Sequence, residues 1–306
     1  MKIAIAEFPM YIGHPIEEMV AEVAEIGYGH IELAGAQRVA GGAGDDKAAR
    51  SLVRALESQS VGLAAIGAGV PLASADEEVR HAAVQDFAGT VRLAGRLGCA
   101  LVTSEMSGGN SLTQEECVAA FERSVSELVP VLEAEGVDVA FEPHPGDFVE
   151  SHELGLDILN RIGHERVGYL YCCPHTFVLG GDPASMIRSA GRLLKFVHVA
   201  DSNTPEKIVV GYAPKGYANA LQAEEFKGAM NAHEHLVPGK GDVDFEAVFA
   251  ALGAIGYDGY VSAIPFGTGR SRPIASAALA AIRALLARTS LALAVTEENV
   301  TGEKQS

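Results

Sequence analysis

The chain has 306 residues, 48% of them hydrophobic, which suffices for one large α/β domain or two ordinary ones around a sizeable core. Lys and Arg number 23 against 40 Asp and Glu, a formal charge of −17. The field of the whole chain therefore repels a nucleic-acid backbone or an anionic membrane surface, and no basic patch is visible to override it. The opening MKIAIAEFPMYIGHPIEEM reaches glutamate at position 7 and holds no long apolar run, so it reads as neither a signal peptide nor a membrane span. A cytoplasmic protein is the expectation. The cysteines at 99, 117, 172 and 173 are too few and too poorly spaced for a disulfide framework or a structural zinc knuckle, which fits a reducing compartment.

Along the chain, short β-rich runs alternate with longer helical patterns. KIAIAE from Lys2 leads to a helix near 15–26, HIEL from His30 to one near 47–58, GLAAIG from Gly62 to 75–97, and LVTSE from Leu101 to 114–135. DVAFE from Asp138 leads to 151–162, VGYLYC from Val167 to 183–193, FVHVA from Phe196 to 245–255, and GYVSAI from Gly259 to 273–293. Ser74 with Glu77 and Thr113 with Glu116 both fit the capping box, while Gly98 and Gly136 stand where a left-handed helix cap is wanted. One helix face collects Val79, Phe87, Val91 and Ala94, the next Val118, Phe121, Val125 and Leu132, with Pro130 as a bend. Strict βα alternation with apolar strands means a parallel sheet covered by helices. Eight units without a composition break favour one closed (β/α)8 TIM barrel over 1–290, ahead of an open doubly wound sheet. The stretch from about 201 to 244 is too long for an ordinary barrel loop and is expected to form a lid or a subunit contact. Residues 291–306 read as a flexible tail.

In such a barrel, chemistry gathers at the C-terminal ends of the strands. Those ends carry Glu7, Glu32, Glu105, Glu142 with His144, Cys172 with His175, and His198 with Asp201. Any one of them has a bland explanation as a solvated or capping residue. Glu142 and His198 are harder to dismiss, because each sits inside an apolar strand where burial without a partner is costly. Alternation along a strand turns Cys172 into the barrel and Cys173 toward the helices.

The eight-strand pattern, together with FEPHPGDF, CCPH, FVHVAD, HLVPGKGDVDF and GYDGYVSAIPF, resembles the xylose isomerase-like superfamily of TIM barrels from Met1 to about Arg288. That group includes sugar isomerases and epimerases, inosose and dehydroshikimate dehydratases, C-glycoside deglycosidase subunits and endonuclease IV type repair enzymes. The resemblance implies a divalent metal held by a glutamate from strand five, an aspartate from strand six, a histidine from strand seven and a glutamate ending strand eight. Here those positions read Glu142, Cys172, His198 and Ile264. Such a set holds hard Mn²⁺ or Mg²⁺ weakly, whereas Cys172 thiolate, His198 and Glu142 suit Zn²⁺ with water in the fourth place. His233 and His235 in NAHEHLVPG offer replacement ligands. A metal-free site with cysteines as small buried hydrophobes stays open beside these.

DNA repair is set aside, since the chain is acidic and carboxylates of the repair enzymes' metal cluster are missing on strands six and eight. The implied activity is a sugar or polyol isomerase or epimerase acting by proton abstraction beside a carbonyl. Glu142 or His144 is the candidate base, and His175 and His198 polarise the carbonyl or protonate a leaving oxygen. Glu7, Glu32, Glu105 and Asp201 are expected to line the substrate. Lys240, where many relatives carry an acid, binds an anionic group or caps the loop. A lyase of the same fold, or a non-catalytic sugar-binding barrel or subunit, is the alternative. The expected partner is a small sugar-like molecule, with a homo-oligomer or partner subunit left open.

Overall fold

The computed structural model describes residues 1–40, 46–108, 112–203, 234–266 and 272–302. Eight strands appear where the alternating pattern places them: β1 Lys2–Ala6, β2 His30–Leu33, β3 Gly62–Gly67, β4 Leu101–Glu105, β5 Asp138–Glu142, β6 Val167–Cys172, β7 Leu194–Val199 and β8 Tyr260–Ala263. They run parallel in sequence order and close through β1 and β8, with Ile3 beside Val261 and Ile5 beside Ala263. The open doubly wound alternative is thereby excluded.

The pleat sorts each strand into an inward and an outward file. Inward, Ala4, Ala64, Ala65, Leu101, Ala140, Leu170, Cys172 and Phe196 fill the interior, the alanines leaving room for Phe196 and Leu170. Outward, Ile31, Val102, Val139, Phe141, Tyr171, Val197 and Val261 join the larger core under the helices. Cys172 faces the interior and Cys173 the outer core, as alternation requires.

The helical layer consists of α1 Ile16–Ile26, α2 Gln37–Ala40, α3 Asp46–Gln59, α4 Glu77–Arg96, α5 Gln114–Glu135, α6 His152–Ile162, α7 Cys173–Val178, α8 Pro183–Ala190, α9 Phe245–Ala254 and α10 Arg272–Gly302. Thr113 and Glu116 form the expected capping box, and Gly136 closes α5 in the left-handed conformation at φ 67°. The other box does not form. Asp76 caps α4 by accepting from the N–H groups of Glu78 and Val79, while the Ser74 hydroxyl accepts only from Asp76 N. That start turns Arg80 inward, onto Glu127 at 2.7 Å and Ser124 at 3.1 Å, and leaves Val79 53% exposed. Phe87, Val91 and Ala94 face the core as expected.

Four other helices depart from the sequence reading, the first being the short α2 at Gln37–Ala40, for which the alternating pattern gives no sign. α7 was not foreseen, although Pro174 in its first turn is a start signal. α8 gives way to a 3-10 turn at Gly191–Leu193. α10 runs on through the expected tail as far as Gly302, because no glycine or proline interrupts its Ala- and Leu-rich sequence between 274 and 301. Among the described residues no helix is long and apolar enough to cross a membrane.

Of the long excursion after β7, residues 204–233 lie outside the described residues, but its two ends are fixed. Asp201 and Leu236 exchange backbone hydrogen bonds of 2.8 Å in both directions. The Asp201 carboxylate, fully buried, accepts from the backbone N–H groups of Ser202, Gly239, Gly241 and Val243 at 2.7–3.0 Å. Gly241 is required there, because a Cβ would lie 2.5 Å from Ser202 O and 2.6 Å from Asp201 Oδ1. Replacing Asp201 with Ala removes the shared acceptor of four backbone N–H groups, and urea unfolding is expected to show a loss of about 3 kcal/mol or more. A loss below about 1 kcal/mol would show that the clamp contributes little.

Candidate active site

Continuing the inward file past the apolar interior brings Glu32, Thr103, Glu105, Glu142, Cys172, His198 and Ser262 to the C-terminal end of the barrel. The registers tie them together: Glu105 pairs with Glu142, Cys172 with His198, and His198 with Ser262. A cavity of about 240 Å³ opens above them, with Glu32, Glu105, Glu142, His198, Phe8 and Ile264 in its wall.

The buried groups form one continuous chain of contacts. Glu32 Oε1 accepts from Thr103 Oγ1 at 3.1 Å and Oε2 accepts from Ser262 Oγ at 2.7 Å. His198 Nε2 lies 3.0 and 3.1 Å from the two Glu32 oxygens, and His198 Nδ1 lies 3.4 Å from Glu142 Oε2. Glu142 Oε1 is 2.7 Å from His175 Nδ1, close enough for an ion pair but off the direction of a hydrogen bond. His175 Nε2 is 3.3 Å from His235 Nε2, and His235 Nδ1 is 2.9 Å from the Ile264 carbonyl. The His235 ring stacks on Phe266 with centroids 4.2 Å apart, and the His144 ring meets His175 edge-on at 4.4 Å.

Charge follows from this arrangement. Burial alone disfavours a charged His198, but Glu32 and Glu142 on either side reverse that and raise it to about 10. Burial likewise opposes ionisation of Glu142, yet the imidazoles of His175 and His198 hold it well below the usual carboxylate range. Burial leaves His175 neutral, down to about 4, so His198 is the countercharge that keeps Glu142 ionised. His235 is pushed down by burial and by His175. His144 is raised despite its burial, through Glu105, Asp147 and Glu142.

Several residues marked in the sequence have other tasks. Glu7 is fully buried, its carboxylate bound by the Arg38 guanidinium and by Ala34 N at 3.0 Å, so it holds the β2–α2 turn and does not face the cavity. Glu32 reaches the cavity, but its oxygens are taken by Thr103, Ser262 and His198; it anchors the site instead of gripping a ligand. Asp201 is the buried loop clamp, with its oxygens turned to backbone N–H groups. Lys240 stands exposed in a turn closed by its own N–H onto Val237 O. Glu105 lines the cavity as expected, and His235 joins the cluster, whereas His233 lies outside the described residues. Thr103, Ser262 and Asp147 escaped sequence reading. The first two were visible as polar residues in phase with the inward file, and Asp147 stands in the FEPHPGDF stretch, 3.8 Å from His144 Nδ1.

The oxygen-rich tetrad of the resemblance is not built here. Ile264 brings no donor, Cys172 brings a thiol that burial and Glu142 push well above its ordinary value, and both His198 nitrogens face carboxylates. Such a set does not fit Mn²⁺ or Mg²⁺. Among the described residues, those that lie close enough to share an ion form two groups with Cys172 in common, Glu142–Cys172–His198 and Cys172–His175–His235.

The His198 charge makes stability pH-dependent. Its folded value, about 10, stands above the ordinary 6.5, so its contribution is present in full below 6.5 and is lost as pH rises through about 10. Urea unfolding of the parent is expected to weaken between about pH 7 and about pH 10.5 in a way that His198→Gln does not. Parallel pH profiles for the two proteins would remove the charge assignment.

Residues 20–290 match the family described as xylose isomerase-like TIM barrel. An inosose isomerase of Bacillus velezensis is 23% identical over 190 residues, 61% of this chain and 61% of its own length. A rhizopine catabolism protein of Rhizobium meliloti is 32% identical over 143 residues, 46% of this chain and 41% of its own. An inosose dehydratase of Geobacillus thermodenitrificans is 28% identical over 127 residues, 41% of this chain and 39% of its own, so the chain spans about two-fifths to three-fifths of these curated relatives. Among solved structures, L-ribulose 3-epimerase superposes with a TM-score of 0.75 at 19% identity, covering 97% of this chain and 98% of that one. An IolI protein with a bound zinc atom gives 0.73 at 19%, covering 94% and 99%. At these identities the solved structures bear on fold alone. With the sequence match running across most of its length, the chain belongs to the xylose isomerase-like TIM barrel family.

Proposed function

We propose that this barrel is an isomerase or epimerase of sugars or polyols that works by removing a proton beside a carbonyl. The observation that carries the reading is Glu142, a buried carboxylate held ionised at the floor of the cavity by the His198 cation. Glu142 accepts the proton from the carbon next to the carbonyl, and the electron pair moves onto the carbonyl oxygen to give an enediolate. The positive charge of His198, fixed between Glu32 and Glu142, offsets the new negative charge without having to reorient. Returning the proton to the former carbonyl carbon, while the proton of the adjacent hydroxyl passes to the former carbonyl oxygen, isomerises the substrate. Returning a proton to the opposite face epimerises it, and Glu105, beside Glu142 on the neighbouring strand β4 and lining the same cavity, is the candidate second acid for that step.

Inosose isomerase and inosose dehydratase as relatives favour a cyclic polyol ketone as the substrate class. A dehydratase is the second reading, favoured by the inosose dehydratase among the relatives: a proton then passes to a departing hydroxyl as water leaves the same enediolate. A barrel without activity has no physical need to bury this many ionisable groups against one another.

The test is exchange of the substrate α-proton with D₂O, followed by ¹H NMR on a panel of inososes and ketohexoses. Glu142→Gln keeps the shape and is expected to slow exchange by roughly a hundredfold or more with the circular dichroism spectrum unchanged. Exchange at the parent rate would remove Glu142 from the chemistry. Glu105→Gln is expected to leave exchange in place and abolish inversion; a variant that still inverts would assign the second acid elsewhere.

A further inference from the structure

We propose that His175, His235 and Cys172 form a zinc site set to one side of the family's metal position, with Nε2 of each histidine and Sγ of the cysteine as ligands. The inference is independent of the isomerase reading, because it concerns metal alone and is tested without substrate.

Three observations carry it. The first is spacing: the two Nε2 atoms are 3.3 Å apart. Two nitrogens bound to a tetrahedral zinc at about 2.0–2.1 Å stand about 3.3–3.4 Å from each other. Cys172 completes the group: one ring nitrogen of each histidine and the Cys172 sulfur lie within 4.8 Å of one another, and all three residues are buried.

The second observation is how each ring is held from behind. A histidine that ligates through one nitrogen ordinarily commits the other to a carbonyl or a carboxylate, which fixes its tautomer and direction. His235 places Nδ1 2.9 Å from the Ile264 carbonyl, and His175 places Nδ1 2.7 Å from Glu142 Oε1. The Ile264 contact turns His235 Nε2 inward, where it faces His175 Nε2, while Glu142 stands behind His175 at ion-pair distance. Ile264, whose side chain cannot ligate, orients the substitute ligand through its backbone.

The third observation is access. Cys172 and His175 also line a second cavity of about 330 Å³, between the β5–α6 connection and α7. Three protein ligands and an approach for a fourth describe an open zinc site. Binding converts the Cys172 thiol to thiolate and releases its proton to solvent, so no oxidant or other co-reactant is needed.

The experiment is zinc titration of the full-length chain by calorimetry after chelator treatment, with Co²⁺ absorption as a second readout. One zinc per chain is expected, with a thiolate-to-cobalt charge-transfer band in the Co²⁺ form. His175→Gln and His235→Gln are expected to weaken zinc roughly tenfold or more, and Cys172→Ser to weaken it and erase the band. His198→Gln should keep the stoichiometry of one zinc and the cobalt charge-transfer band, since His198 is not a ligand of this site. Loss of zinc in His198→Gln with binding kept in His235→Gln would move the ion to the Glu142–Cys172–His198 group and overturn the proposal. No binding to the folded parent at millimolar zinc would overturn it too, leaving a proton shared between the two imidazoles. Circular dichroism of each variant separates lost ligation from lost fold, and retained binding in both histidine variants would also refute it.

Discussion

The upper half of this barrel is organised around one buried anion. Glu32 accepts from Thr103 on β4, Ser262 on β8 and His198 on β7, so a single carboxylate on β2 cross-links four strands through the interior. An isolated carboxylate in that position would be neutralised by its own desolvation. Here Thr103, Ser262 and His198 surround the Glu32 carboxylate; Glu32 and Glu142 together hold His198 protonated, and His198 in turn holds Glu142 ionised. The chemical identity of each member is set by the neighbour before it.

Below that layer the barrel is conventional, and the contrast is instructive. Alanines at 4, 64, 65 and 140 with Leu170 and Phe196 fill the interior without a polar atom. The transition from dry packing to ionic chain takes place within two residues on each strand, from Ala140 to Glu142, from Leu170 to Cys172 and from Phe196 to His198. One step of the pleat thus separates the part of the sequence that holds the barrel from the part that does chemistry.

That layering explains which features were legible in the sequence. All eight strands could be placed because an inward-facing and an outward-facing apolar file give a continuous hydrophobic run, and the helices between them carry their own amphipathic period. Glu142 and His198 were conspicuous as ionisable residues inside such runs. Glu7 and Asp201 were read as substrate contacts because a strand-end carboxylate looks the same whether it meets a ligand or a backbone N–H; Arg38 and the turn at 239–243 decide the matter, and neither is adjacent in sequence. The pairing of His175 with His235, 60 residues apart, has no local signature at all. Ile264 shows the same limit from the other side, since its side chain announces a lost ligand while its carbonyl does the work of orienting another.

The clamp at Asp201 has a consequence for how this chain can vary. The backbone bridge to Leu236 and the four N–H groups on the carboxylate fix the chain where it leaves β7 and where it returns toward β8, and His235 beside that return is held in the ionic cluster. For a flexible connection, the entropy of closure grows only slowly, by about 0.6 kcal/mol for each doubling of length. Anchored in this way, β7, β8 and His235 keep their geometry through contacts made at the two ends, and grafting experiments have a defined pair of splice points, after Asn203 and before Glu234.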